Sequence, residues 1–541
     1  MMAANSEELH RSRSRSPLPA KKQLRKTARW TTLSAAVLVQ SVAGLSYIFS
    51  LYSSTLKAKF HLPQTQLDLL GTLSNVGATV GLHMGMLTDR VGPRPVVALG
   101  ACLGVAGWLP LWAALDGWRC PYAVLCVLHL LQGQMALTLD VPIVSSTGRA
   151  FPEHRGLALG LVKSYVGLSG SLATLAYQAA FRPRVAPFVL AIALANVAFA
   201  AVYLAATARN ADAPEPARDA ETRAAAARGL AVSLGLTGFL AFSLVAAALA
   251  MQFSSAAAAG IGRVALGALV AAIFGCVLAF LRSRADPDPG AKASALEAPL
   301  LSEEPRASDA PDFAFLDAIR TKDFCILFVA FVCSSGPGLI LINNLGQIVP
   351  AVPSLPEGTE DAFVSILSVC NCLGRLSAGA LGDHLLAARG APRPATLALF
   401  CALTAAAMGL LAIGTPASLY GAVVVGGYAY GGLNGGIVPC YSEIWGFGSF
   451  ASLYSAGSLA EGAASYLMAT LLFGSLYQRE IKSQGLAASA TCVGRGCFLN
   501  AALIAAALAA FATLLCVVLA VRSRARYAAL YPQFFRNGAI Q

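Results

Sequence analysis

Long apolar segments separated by short polar loops recur along nearly the whole chain. Of its 541 residues, 57% are hydrophobic and only 12% are charged, against roughly 25% charged in soluble domains. Each segment has the length of roughly 20 residues that an α-helix needs to cross a bilayer core. Lipid offers no partner to open backbone groups, so each must be helical. The sequence predicts an all-α membrane protein with fourteen spans, at residues 30–53, 66–87, 95–114, 121–146, 155–180, 186–207, 229–251, 262–281, 324–349, 361–382, 393–413, 416–440, 450–477 and 496–521.

Two loops far apart in the chain carry matching patterns. Residues 85–94 read GMLTDRVGPR, and residues 371–383 read NCLGRLSAGALGD, with Arg389 and Arg393 following. Both place small residues, an acid and several basic residues between two spans. A helix–loop–helix signal repeated in two halves is typical of a secondary transporter built from a duplicated bundle.

The spans group into two sets of six with two more between them. We expect a basic tail at 1–29, an N-terminal bundle at 30–208 and a linker with two additional spans at 209–282. A polar linker at 283–322, a C-terminal bundle at 323–521 and a tail at 522–541 follow. The additional spans are almost free of polar residues, which predicts peripheral, lipid-facing helices with no chemistry.

Basic residues set the expected orientation. The strongly basic first 29 residues favour a cytoplasmic N-terminus, and an even number of spans returns the C-terminus to the same side. The net charge of +12 is thereby explained by topology, and no nucleic-acid partner is expected. Cys492 and Cys497 flank the last outside loop, where a disulfide and two free thiols remain alternatives.

The chain resembles the nodulin-like branch of the major facilitator superfamily, which is related to monocarboxylate and oxalate/formate carriers. Besides the two loops, the matching residues are Arg29-Trp30, Gln40 to Gly44, Tyr47, Gln66-Leu67, Phe151 to Gly156, Gly160, Lys163, Gly167 to Gly170, Asp323-Phe324, Gly336, Gly338, Asn344 to Gln347, Pro392 to Pro394, Tyr428 to Gly432, Ser442-Glu443, Leu453-Tyr454, Tyr477 and Arg479-Glu480. The resemblance implies the major facilitator fold, two six-helix bundles with a solute site between them. One departure is Glu461-Gly462, where the family usually has Asn-Pro.

Asp140 and Lys163 are candidate partners inside the membrane. They lie 12 residues before and 11 residues after Pro152, on consecutive antiparallel helices. At a rise of about 1.5 Å per residue they share nearly the same depth, and pairing offsets part of the cost of burying both charges. The pair either faces the solute path, with Asp140 in the coupling step, or only locks two helices.

Arg375 and Asn371 lie one turn apart on one helix. An arginine suits a carboxylate because its planar fork donates two parallel hydrogen bonds. The resemblance strengthens this assignment, because related monocarboxylate carriers hold the solute carboxylate with an arginine at this spacing from an acid. In this chain Asn371 stands at the position of that acid, so the resemblance does not imply a proton-transfer step there. A structural role near the inner gate is the alternative for Arg375.

The remaining candidates are polar residues on helices that line the cavity in this fold. Glu461, near mid-membrane, is a candidate proton carrier, with a packing role as the alternative. Further solute-contact candidates are Gln40, Gln134, Asn344, Gln347 and Tyr428, with Gln132, Asn343, Tyr430 and Asn434 as lesser ones. His83 and His129 are more often packing residues. The predicted gating residues are Gly85, Asp89, Arg90, Arg94, Gly379, Asp383 and Arg393.

The sequence holds no metal-ligand spacing, nucleophile triad or phosphate loop, so we expect neither an enzyme nor a cofactor. It predicts a monomeric carrier of a small solute that works by alternating access, with proton coupling left open. The favoured solute is a small organic anion. An amino acid, nitrate or a metal chelate is the first alternative, and a non-transporting receptor or scaffold is the second. The plasma membrane and a vacuolar or endosomal membrane are both compatible with the sequence.

Overall fold

The computed structural model describes residues 20–62, 64–208, 220–253, 312–352, 359–486 and 492–535, with single positions 267, 271, 274, 275, 277–280 and 355. The first half is helical throughout. Its elements are α1 (Ala20–Ala43), α2 (Phe49–Phe60), α3 (Gln64–Thr79), α4 (Leu82–Val91), α5 (Pro93–Asp116), α6 (Tyr122–Ala150), α7 (Arg155–Ala176) and α8 (Val185–Ala208).

The second half repeats this arrangement. One further helix, α9 (Ala220–Phe253), precedes it, and then follow α10 (Phe315–Ile319), α11 (Lys322–Ile348), α12 (Thr359–Arg389), α13 (Arg393–Ile413), α14 (Pro416–Trp445), α15 (Phe450–Ala464), a π-helical segment (Ser465–Leu472), α16 (Phe473–Ser483), α17 (Gly496–Leu530) and α18 (Pro532–Phe535). A disulfide joins Cys492 to Cys497, just before α17.

Membrane-spanning capacity follows from helix length and composition. Ten described segments are long and apolar enough to cross a bilayer: 93–116, 122–150, 155–181, 185–208, 224–244, 322–348, 363–389, 393–413, 450–483 and 496–530. Most of the predicted span 262–281 lies outside the described residues, as do most of the linker 283–322 and residues 1–19. The exact count of fourteen spans therefore stays a prediction.

Small residues bring the two halves into close contact along α7 and α12. A Cβ built on Gly379 would lie 2.1 Å from the Gly156 carbonyl oxygen, so only glycine fits there. The same closeness lets the polar side chains of α7 and α12 meet in the middle of the molecule. Close helix approach through small residues is the usual packing mode in membranes.

The additional helix α9 is peripheral, with one exposed side and one side packed against protein. Its exposed side carries Phe239 and Phe242, but its other side is buried against both α7 and α12. Ser233 and Thr237 on the buried side are fully covered. The apolar composition of α9 did not predict the burial of this side, because composition does not indicate which side of a helix packs against protein.

Candidate functional site

A buried hydrogen-bonded cluster connects the two halves of the molecule. The Lys163 ammonium lies 2.9 Å from the Asp140 carboxylate, in the ion pair that their equal depth predicts. The Gln40 amide donates to the same carboxylate at 2.8 Å. The Tyr454 hydroxyl, from the second half, donates to Asp140 at 2.6 Å and accepts from Lys163 at 2.8 Å. The pair is thus completed by a side chain from the opposite bundle.

Arg375 lies beside this cluster and is 2% exposed. Its Nε donates to the Asn371 amide oxygen at 2.8 Å, as the one-turn spacing predicts. Its Nη1 lies 3.4 Å from the Lys163 carbonyl oxygen. No carboxylate among the described residues pairs with Arg375. The hydrogen-bond partners of the guanidinium given by these contacts are therefore both neutral.

A small cavity adjoins the cluster on the side of the second half. Its volume is about 20 Å³, and Asn434, Tyr454, Ser458 and Glu461 contribute its polar lining. Glu461 is half-buried and accepts a hydrogen bond from the Tyr430 hydroxyl. A cavity of this size has room for about one water molecule. This space is therefore too small for an organic solute.

Several predicted solute-contact residues have structural partners instead. Gln134 donates to the carbonyls of Gly77 and Val80, where the chain breaks between α3 and α4. Asn344 donates to the carbonyls of Ile340 and Ala469. The Gln134 contacts satisfy carbonyls at a helix break, where the regular helical partner is lost inside the membrane.

The other predicted polar residues lie outside the cluster, and of these Asn434 lines the adjoining cavity. Gln347 and His83 are exposed, and the Tyr428 ring packs on Phe400 at 5.8 Å. Gln132 accepts from Tyr52 and donates to the Gly107 carbonyl. His129 packs against the Phe49 and Tyr52 rings. Asn343 lies 3.4 Å from the Ser465 hydroxyl, and Asn434 donates to the Tyr430 carbonyl.

The two loop acids make corresponding contacts across the halves. Asp89 accepts from the backbone N–H groups of Ala451 and Ser452, at the start of α15. Asp383 accepts from the Leu157 N–H, at the start of α7, at 3.1 Å. Each acid thus lies at the N-terminus of a helix in the opposite half, where the helix dipole favours negative charge. We call the end of the molecule with these contacts the gate end.

Two glycines and one arginine complete the gate end. A Cβ on Gly85 would lie 2.4 Å from the Ala451 carbonyl oxygen, and Gly379 is similarly confined. Arg393 lies 2.6 Å from Asp383 and 2.7 Å from Glu443. Arg90 and Arg94, in contrast, are exposed and form no ion pair or side-chain hydrogen bond among the described residues. Their predicted role as gating residues has no support in these contacts.

Two site residues were missed because their partners are distant in sequence. Glu443 pairs with Arg393 and accepts from the Tyr531 hydroxyl at 3.1 Å. Burial, with the Glu443 carboxylate nearby, raises the pKa of Tyr531, so the hydroxyl keeps the proton that it donates. Tyr454 is the other missed residue. Both stand in segments that carry the family resemblance, which was the one available signal.

Comparison with known proteins points to one family. A family model described as Nodulin-like matches residues 29–276. Protein NUCLEAR FUSION DEFECTIVE 4 of Arabidopsis thaliana is 26% identical over 383 residues, which are 65% of this chain and 64% of that protein. The oxalate:formate antiporter of Oxalobacter formigenes is 29% identical over 144 residues, 26% of this chain and 33% of that protein. The chain thus spans less than two thirds of the length of these relatives.

Solved structures give the same fold. A bacterial homologue of the iron transporter ferroportin, in an outward-facing state, superposes with a TM-score of 0.56 at 14% identity. It covers 92% of this chain and 100% of that chain. FucP, a major facilitator superfamily transporter in the outward conformation, gives 0.51 at 13% identity and covers 91% of this chain and 98% of that one.

The fold of these structures and the ten helices long enough to cross a bilayer support a multi-pass membrane protein. The paired loops, the two similar bundles and the family model agree with one another. Residues 29–276 are thus similar to the nodulin-like family, and the chain has the fold of the major facilitator superfamily structures.

Proposed function

We propose that the chain is a secondary active transporter that moves a small organic anion by alternating access. The observation that carries this proposal is the buried Arg375, which has no acidic partner among the described residues. A charge in the membrane interior is costly and is normally compensated. A solute carboxylate between the halves would supply that compensation.

The charge balance of the cluster supports the same proposal. Lys163 and Asp140 neutralise each other, so neither of them compensates the charge of Arg375. Arg375 bonds only to an amide oxygen and a backbone carbonyl, so the guanidinium keeps donors for a carboxylate. The similarity to an oxalate:formate antiporter is compatible with an anionic solute.

Uptake into proteoliposomes tests the proposal. The panel of labelled solutes comprises small mono- and dicarboxylates, amino acids, nitrate and sugars, each with and without a pH gradient. We expect saturable uptake of a carboxylate. Arg375→Ala should abolish its binding, and Arg375→Lys should weaken binding while leaving expression nearly intact, because lysine keeps the charge but loses the planar fork.

The matched control is Arg522→Ala, which removes an arginine that pairs with Asp323 and is 44% exposed. It should leave uptake unchanged. If an accepted carboxylate binds normally to Arg375→Ala, the arginine belongs to the gate and the anion assignment fails.

An amino acid is the second candidate, because Glu461 adds a carboxylate that lines the same cavity as Tyr454. Preferential uptake of an amino acid over the carboxylate of the same carbon skeleton would favour it. Absence of uptake for every solute, with purified folded protein, would instead favour a receptor or scaffold.

A further inference from the structure

The Lys163 ammonium has as many acceptors around it as it has donors. An ammonium carries three N–H groups and no acceptor. Its nitrogen lies 3.0 and 2.9 Å from the two oxygens of the Asp140 carboxylate and 2.8 Å from the Tyr454 hydroxyl. All three side chains are buried. In this arrangement Lys163 has no N–H group left for a solute.

Arg375 differs from Lys163 in this respect. A guanidinium carries five N–H groups. Among the described residues, its Nε donates to the Asn371 amide oxygen and its Nη1 donates to the Lys163 carbonyl. These contacts use two of the five donors, and two parallel donors of an arginine match one carboxylate. Of these two neighbouring cations, only Arg375 thus has donors for a solute carboxylate.

The ion pair of Asp140 with Lys163 lies within one half of the molecule. Asp140 is on α6 and Lys163 is on α7, so separation of the halves does not require the pair to break. Tyr454 is on α15, in the other half. Its departure would free one N–H group of Lys163, but Asp140 would still compensate the ammonium charge. A second solute carboxylate could replace Asp140 only by leaving it as an uncompensated buried charge, which is costly.

Glu461 also opposes a second negative charge at this place. It is half-buried, accepts a hydrogen bond from the Tyr430 hydroxyl and lines the small cavity together with Tyr454. A solute carboxylate in this cavity would lie beside Glu461. Whenever Glu461 is ionised, the two like charges repel each other, and the repulsion is stronger in a protein interior than in water.

We propose that Asp140 restricts the carrier to solutes with a single carboxylate, because it occupies Lys163 and leaves Arg375 to bind the anion. Asp140 acts through Lys163 and is therefore a positioning residue that determines specificity. The inference rests on the proposed function, since it requires that Arg375 binds a solute carboxylate.

Uptake of two labelled acids with the same carbon chain tests the inference. Butyrate has one carboxylate and succinate has two, and propionate and malonate form a second such pair. The assay uses wild-type protein in proteoliposomes, at a pH where both carboxyl groups of the diacid are ionised. We expect the monoacid to enter about tenfold faster than its diacid at equal low concentration, because the second carboxylate lacks a cationic partner.

The wild-type result separates the two proposals. If the diacid of a pair enters as fast as the monoacid or faster, the inference is overturned, while the transport of an organic anion stands. If folded protein takes up no acid of either pair, the proposed function fails, and the inference fails with it.

Two variants test the role of Asp140 itself. Asp140→Asn removes the charge that occupies Lys163, so succinate uptake relative to butyrate uptake should rise about tenfold. Asp140→Asn/Lys163→Gln removes both charges, so its ratio should stay as in the wild type. The matched control, Asp323→Asn, removes a carboxylate from the surface pair with Arg522 and should also leave the ratio unchanged. Loss of folded protein lowers both rates equally, so a merely structural role would not change the ratio.

Stability supplies a second measurement, which does not need an active Asp140→Asn protein. A ligand that binds the folded state raises the free energy of unfolding. Succinate should therefore raise the denaturant midpoint of Asp140→Asn in detergent micelles more than butyrate does, and it should not do so in Asp140→Asn/Lys163→Gln. An unchanged uptake ratio in Asp140→Asn, or equal effects of the two acids on its midpoint, would overturn the role of Asp140. Butyrate uptake by the wild type would in that case still support the proposed function.

Discussion

Removing one member of the Asp140–Lys163 pair should damage the protein more than removing both. Asp140→Asn leaves a buried ammonium whose remaining side-chain partner is the neutral Tyr454 hydroxyl. Lys163→Gln leaves a buried carboxylate with hydrogen bonds from Gln40 and Tyr454. Breaking a buried pair on one side costs about 3–5 kcal/mol, because an uncompensated charge stays behind.

The double variant Asp140→Asn/Lys163→Gln removes both charges and keeps two groups that can bond to each other. Its cost should therefore be well below the sum of the single costs, with a coupling energy of about 2–3 kcal/mol. The free energy of unfolding is measured by denaturant titration in detergent micelles. The coupling is the double value minus both single values.

The surface pair of Asp323 and Arg522 supplies the matched control. Its two atoms lie 2.5 Å apart, but the Arg522 side chain is 44% exposed. Exposed pairs contribute about 0–1 kcal/mol, so Asp323→Asn/Arg522→Gln should show little coupling. If the buried and surface pairs give the same coupling energy, the argument from desolvation is refuted.

Three further outcomes follow from the contacts described above. Asp89→Asn should weaken the cap on α15 by about 1 kcal/mol. Labelling of a Ser458→Cys reporter by a thiol reagent from the cytoplasmic side should then increase, and unchanged labelling would contradict a gating role of Asp89. Glu461→Gln should remove the response of uptake to an imposed pH gradient while solute exchange continues, and a retained response would exclude Glu461 as the proton carrier. Epitope tags at residues 1, 300 and 541, which lie in the two termini and the linker, should be equally inaccessible in intact cells. Accessibility of one tag alone would refute the topology.

Features set by spacing along one helix, or by equal distance from one turn, were predictable from the sequence. The ion pair of Asp140 with Lys163 follows from counting residues on either side of Pro152, and the Asn371–Arg375 bond follows from the helical period. Both depend on local geometry, which the order of residues determines directly.

Features set by packing between distant segments were not predictable. Tyr454 contacts Lys163 from 291 residues further along the chain, and no local sequence pattern predicts that contact. We expected Gln134 to contact the solute, but its amide donates to two backbone carbonyls that the break between α3 and α4 leaves open. The burial of one side of α9 depends likewise on the course of α7 and α12.

The small volume of the central cavity has a consequence for affinity measurements. A space of about 20 Å³ holds a water molecule but no carboxylic acid. Binding of a solute in this space therefore requires a more open conformation, and the observed dissociation constant equals the intrinsic one divided by the fraction of molecules in that conformation. If one molecule in about a hundred is open, the observed dissociation constant of a solute will be about a hundredfold higher than the intrinsic one. Variants that loosen the contacts between the halves would then tighten apparent binding without adding any contact to the solute.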